Sequence, residues 1–180
     1  DNGSGMTDEE FRSRWMVIAY NRVDHQGEYI DFLAADNTKI RRIAYGRNGV
    51  GRHSLVCFDE YYVIETWKEG CSNRYEIAVS GGNSAFSIEK HTQIPKSGSG
   101  TKIIVNAVKH FPDPAAISKT LGYKFLFDPQ FAVYVNGAKV EYHNTLRPDK
   151  EDTLPTQYGE LNVAIYRITE GDKSTSNNGI

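Results

Sequence analysis

At 180 residues with 39% apolar and 12% aromatic side chains, the chain can bury one ordinary core, and its length predicts a single domain. A net charge of −2 and a pI near 6.2 exclude a broad positive field for an anionic membrane surface, and they leave no direct nucleic-acid signal. No apolar run approaches the ~20 residues of a membrane span, and Cys57 and Cys71 fit neither a zinc spacing nor a disulfide framework, so they read as reduced thiols of a cytoplasmic protein.

In chain order, Thr7 followed by Glu10 forms a capping box, and Phe11, Trp15, Ile18 and Ala19 recur behind it at helical spacing, which predicts a helix near 7–20. From Asn21 to Tyr45 no period is sustained, and the segment reads as a long functional loop. A second helix begins within Gly49-Val50-Gly51 and carries Leu55, Val56, Cys57 and Phe58 toward the core. The period then becomes two, through Tyr62-Ile64, Tyr75-Ile77-Val79, Phe86-Ile88 and Ile103-Val105, which predicts a four-stranded antiparallel meander.

Asp113 before Pro114 is a helix cap, with the helix running toward Phe125. Phe131, Val133 and Val135 lead into Asn136-Gly137, a hairpin signal, with Val140 and Tyr142 returning. Residues 143–158 read as loop and Leu161 to Ile168 as a strand. The whole is an α+β layout, an antiparallel sheet with helices on one face. Asp1 in place of methionine and the polar tail Ser174 to Ile180 make both ends look like cuts.

Three clusters carry chemistry. In Asp1-Asn2-Gly3-Ser4-Gly5-Met6 a carboxylate beside alternate glycines suits a flat ligand with an exocyclic amine, although the same string is an ordinary flexible turn. Gly46-Arg47-Asn48-Gly49-Val50-Gly51-Arg52-His53-Ser54 stands at a helix mouth, where backbone N–H groups and the helix terminus suit a polyphosphate and Arg52 or His53 adds charge. It is not a Walker loop, because Gly-Lys-Ser/Thr is missing. Ser97-Gly98-Ser99-Gly100-Thr101-Lys102-Ile103 is a glycine run entering a strand: a hairpin entry, or a hydroxyl offered by Thr101 over the sheet. His25, His91, His110 and His143 lack ligand spacing and read as surface or structural.

In order and spacing these clusters resemble the ATP-binding domain of the gyrase, heat-shock-chaperone, histidine-kinase and MutL superfamily, most closely its chaperone branch. Asp1-x-Gly3-x-Gly5-Met6 looks like the adenine box, Gly46-x-x-Gly49-Val50-Gly51-x-x-Ser54 like the lid-hinge phosphate motif, and Gly100-Thr101-Lys102-Ile103 like the late Gly-Thr motif. The resemblance implies a partial Bergerat-type two-layer sandwich over residues 1–142, a lid near 21–45, and in 143–180 a linker and the start of a following domain.

By the same resemblance ATP and ADP are the ligands. Asp1 would bind the adenine amine, with Gly3, Gly5 and Met6 lining the base and Thr101 supporting it. Gly46, Gly49, Val50, Gly51, Arg52, His53 and Ser54 would face the phosphates, with Arg22 ahead of the lid. The family's catalytic glutamate and magnesium-binding asparagine lie upstream of its adenine box, so no catalytic residue or Mg2+ ligand is expected here. The chain as given would then not hydrolyse ATP, and a companion upstream segment or a homodimer would cover the sheet that the missing helix leaves open. A scaffold domain that keeps the fold without nucleotide is the alternative.

Overall fold

The first helix starts where the capping box puts it: the Thr7 hydroxyl accepts from the Glu10 N–H at 3.2 Å, and the Glu10 carboxylate accepts from the Thr7 N–H at 2.9 Å. In this computed structural model, which describes residues 1–33, 38–44, 46, 49–81, 84–124, 132–141 and 148–165, the chain forms two compact units, Asp1–Phe111 and Pro112–Ile180. The architecture is α+β with antiparallel sheets.

In the first unit, α1 (Asp8–Glu10) widens at once into a π-helical turn, Phe11–Trp15, closed by the Met16 N–H on the Phe11 carbonyl. The helix ends there rather than near residue 20. Ala19 adopts a left-handed φ of 55°, and Val17 and Ile18 are exposed, so only Phe11 and Trp15 of the expected stripe enter the core. The wider turn brings residues four apart nearly into register, and the two rings lie parallel, 6.2 Å apart.

The segment expected to be an unstructured lid holds a short helix, α2 (Arg22–Gln26), and a hairpin of β1 (Tyr29–Leu33) with β2 (Lys39–Ile43). Periodicity missed the hairpin because its strands are pinned by charge: Asp31 faces Arg41 across the ladder and accepts two guanidinium bonds, at 2.8 and 3.1 Å. Residues 34–37 and Tyr45, within that segment, lie outside the described residues.

The second helix forms from Val50 to Cys57 but as a 3₁₀ helix. Its three-residue period lines Gly51, Ser54 and Cys57 along the solvent side while Leu55 and Val56 pack on the core. Cys57 is therefore exposed, not core-facing as an α-helical period implied.

Four strands follow: β3 (Tyr61–Lys68), β4 (Cys71–Val79), β5 (Phe86–Pro95) and β6 (Gly100–Val105). All neighbours are antiparallel, but the order β5-β4-β3-β6 is not a simple meander, because β6 crosses to the free side of β3. Alternation shows which face a residue takes and carries no information about which edge a strand joins. One face presents Tyr62, Ile64, Tyr75 and Ile77, and onto it pack Phe11 and Trp15 with Leu55 and Val56. Phe11 stacks on Tyr75 at 3.7 Å, whose hydroxyl donates to Asp8 at 2.7 Å, and Lys68 donates to both Glu10 oxygens at 2.8 and 2.9 Å. The helix is thus tied to the sheet by stacking and by charge. The opposite face carries Glu65, Lys96 and Trp67, with the Lys96 ammonium 3.6 Å from the Trp67 ring centre.

In the second unit, Asp113 caps α3 (Pro114–Lys124) through bonds from the Ala115 and Ala116 N–H groups. Asn136-Gly137 turns β7 (Tyr134–Val135) into β8 (Ala138–Lys139), both turn residues at positive φ. Phe125, Phe131 and Tyr142 lie outside the described residues. β9 (Lys150–Thr156) pairs with β10 (Gly159–Ile165), so part of the stretch read as loop is a strand. Its Lys-Glu-Asp start and Pro155 hide the alternation, and proline is tolerated because each strand of a two-stranded ribbon is an edge.

Candidate functional site

The opening segment and the entry to β6 meet. The α-amino group of Asp1 donates to the Thr101 carbonyl at 2.7 Å, and the Thr101 N–H donates to the Asp1 carbonyl at 3.1 Å, so Asp1 forms one antiparallel rung on the open edge of β6. Directly opposed residues in such a rung point to the same side. The carboxylate of Asp1 therefore shares the sheet face of Thr101, which is the face that Phe11 and Trp15 cover elsewhere.

Beneath this rung lies Thr66, fully buried on β3, which the sequence reading passed over. Its hydroxyl accepts from the Met6 N–H at 2.9 Å, donates to the Gly100 carbonyl at 3.2 Å and lies 3.2 Å from the Thr101 hydroxyl. A hydroxyl has one proton to give. With that of Thr66 on Gly100, the Thr101 proton goes to Thr66, which leaves the Thr101 oxygen its acceptor capacity. The signal in sequence was a hydroxyl at an inward position of an otherwise apolar alternation, Tyr62-Ile64-Thr66.

The glycines of this corner serve the chain itself. Gly5 has φ +62°, and a Cβ there would sit 1.9 Å from the Trp67 carbonyl oxygen; at Gly100 a Cβ would lie 2.5 Å from the Asp1 carbonyl and 2.5 Å from the Trp67 ring. Gly3 is looser: its N–H donates to the Asp1 carboxylate at 2.9 Å, and a Cβ would meet only that side chain. Asp1 thus keeps one carboxylate oxygen with no bond among the described contacts. Met6 is half-buried, and Ile103, on the same face as Thr101, is 43% exposed.

The glycine-rich loop is held differently. Gly49 precedes the 3₁₀ helix in a left-handed conformation, φ +64°, and Arg52 folds back under it, so that a Cβ at Gly49 would lie 2.7 Å from the guanidinium carbon. Arg52 donates to the Val17 carbonyl and, at 3.2 Å, to His53 Nε2, and it lies 5.5 Å from the Tyr20 ring centre. Burial pulls its pKa below the ordinary arginine value. His53 stacks on Phe86 at 4.5 Å and meets Trp15 edge-on, and its Nδ1 is buried without a hydrogen-bond partner. Burial, and then the Arg52 charge, push its pKa down.

Gly46 and Gly51 are open: a Cβ at either would meet nothing within 4 Å. The Ser54 hydroxyl donates to the Gly51 carbonyl at 2.7 Å, and Arg22 donates to the Gly27 carbonyl at 2.9 Å within its own turn. Arg47 and Asn48 lie outside the described residues, as does the Val50 side chain.

The structure therefore brings together Asp1, Gly3, Gly5, Met6 and Thr101, with Thr66 added. It groups Gly49, Arg52 and His53 as a second cluster and leaves Arg22 engaged in the segment after α1. Among the described residues no group of three His, Cys, Asp or Glu side chains is placed to hold a metal ion, and no helix is long and apolar enough to cross a membrane. No protein-family model and no curated protein matches the chain.

Proposed function

We propose that the corner built by Asp1, Thr66 and Thr101 binds the adenine of ATP, and that the loop from Gly49 to Gly51 receives its phosphates, in a cytoplasmic nucleotide-binding module of the Bergerat type. The observation that carries this reading is the pair of acceptors, the free oxygen of Asp1 and the Thr101 hydroxyl, set side by side across one rung. An exocyclic amine has two protons to donate, and Met6 and Ile103 offer apolar surface for the ring. An added Cβ at Gly46 or Gly51 would meet nothing within 4 Å, which is room for an anion at the loop. Magnesium is assigned no ligand among these residues, and hydrolysis is no part of the reading.

Calorimetric titration of ATP and ADP, with magnesium, tests it. Asp1→Asn loses a charge-assisted hydrogen bond of about 1.5–3 kcal/mol, roughly a ten- to hundred-fold loss of affinity. Unchanged affinity would remove Asp1 from the site.

One observation favours a second reading, a scaffold that keeps the fold without nucleotide: Gly5 and Gly100 are required by contacts of the chain with itself, so a ligand is not needed to explain them. Gly51→Ala separates the two, because the added methyl meets no protein atom. Loss of ATP binding in that folded variant supports the phosphate loop; absence of binding in the parent protein supports the scaffold.

A further inference from the structure

We infer that Arg52 is a positioning residue, a latch that fastens the Gly49 turn to the carboxyl end of the first helix, and that it does not itself contact phosphate. The inference rests on the nucleotide reading for its purpose but not for its geometry.

The guanidinium lies against the left-handed Gly49 backbone, where an added Cβ would come within 2.7 Å of its carbon. Two of its five N–H donors are directed inward. One goes to the carbonyl of Val17, just beyond the π-helical turn, where a helix ends with carbonyls that lack partners and with its negative dipole end. Another goes to His53 Nε2, and the plane lies near the Tyr20 ring. None of these partners is a carboxylate.

His53 in turn is clamped between Phe86 and Trp15, so the latch is anchored to the core. To swing out over the loop, Arg52 would have to leave the carbonyl, the imidazole and the ring together and leave the Gly49 turn unsupported. A fork of fixed N–H directions makes these contacts at once, whereas a lysine ammonium, a single point of charge, cannot.

Amide hydrogen exchange without nucleotide, followed by titration with ATP and magnesium, tests the latch in Arg52→Lys and Arg52→Ala. Exchange should quicken about tenfold in the 3₁₀ helix and in the residues after Trp15, together and in both variants, with β3 and β4 unchanged. The affinity for ATP should fall by a similar factor in both, with no rescue by lysine.

Unchanged exchange in both variants overturns the latch, and lost affinity rescued by lysine would make Arg52 a phosphate ligand. If Arg52→Ala also exposes β3 and β4, Arg52→Lys decides, and global exposure in both overturns a local role. If the parent protein binds no ATP, the nucleotide reading fails while the exchange result still judges the latch.

Discussion

The corner at Asp1 and the loop at Gly49 are both rich in glycine, yet they are built on opposite principles. In the corner, backbone meets backbone: Gly5 touches the Trp67 carbonyl, Gly100 touches the Asp1 carbonyl, and a buried hydroxyl joins three segments. In the loop, side chains do the holding, through Arg52 and His53, while Gly46 and Gly51 face open space. The same residue type therefore marks close packing in one place and free access in the other, and glycine content alone does not distinguish them.

The largest effect that would sharpen this contrast is expected at Gly5. Gly5→Ala combines a left-handed φ with a methyl driven into a carbonyl and should cost about 3 kcal/mol or more, read as a shift in denaturation midpoint. A small shift would mean that the opening segment is not fastened to β3 and β6. Thr66→Val comes next. It keeps the shape but strands the Met6 N–H and takes away the acceptor of the Thr101 hydroxyl, at a cost of roughly 2–3 kcal/mol.

A smaller, pH-dependent effect belongs to the loop. Because the pKa of His53 is depressed by burial and by Arg52 from its ordinary value of 6.5, the unfolded chain takes up the proton first. Stability should be level above that value and fall as pH drops below it, and His53→Phe, which keeps a flat ring on Phe86, should lose that part of the slope. Glu10 adds a separate loss at lower pH. Burial raises its pKa, but bonds from Lys68 and the Thr7 N–H outweigh that and hold it below 4.5, so its contribution is present above that value and disappears on acidification.

The smallest stability effect is expected at Gly51. Gly51→Ala meets nothing and should move the midpoint by no more than about 0.5 kcal/mol; a cost comparable to that at Gly5 would erase the distinction between the two segments.

Part of the fold was legible from spacing. The Thr7 capping box, the Asp113 cap and the Asn136-Gly137 turn are local codes, each completed within a few residues, and each appears where expected. The hairpin inside Asn21–Tyr45 and the strand β9 were not legible, because Asp31–Arg41 and the charged start of β9 stabilise pairing without an apolar alternation.

By itself the sequence determined several local elements, the parity of the main sheet's strands and the α+β class, because caps, turns and alternation act over a few residues. Only the tertiary structure decided that β6 joins β3, that Asp1 forms a rung with Thr101 above Thr66, and that Arg52 turns inward beneath Gly49. These contacts join residues far apart in the chain, and each depends on which carbonyl or ring the fold brings within hydrogen-bonding or stacking distance.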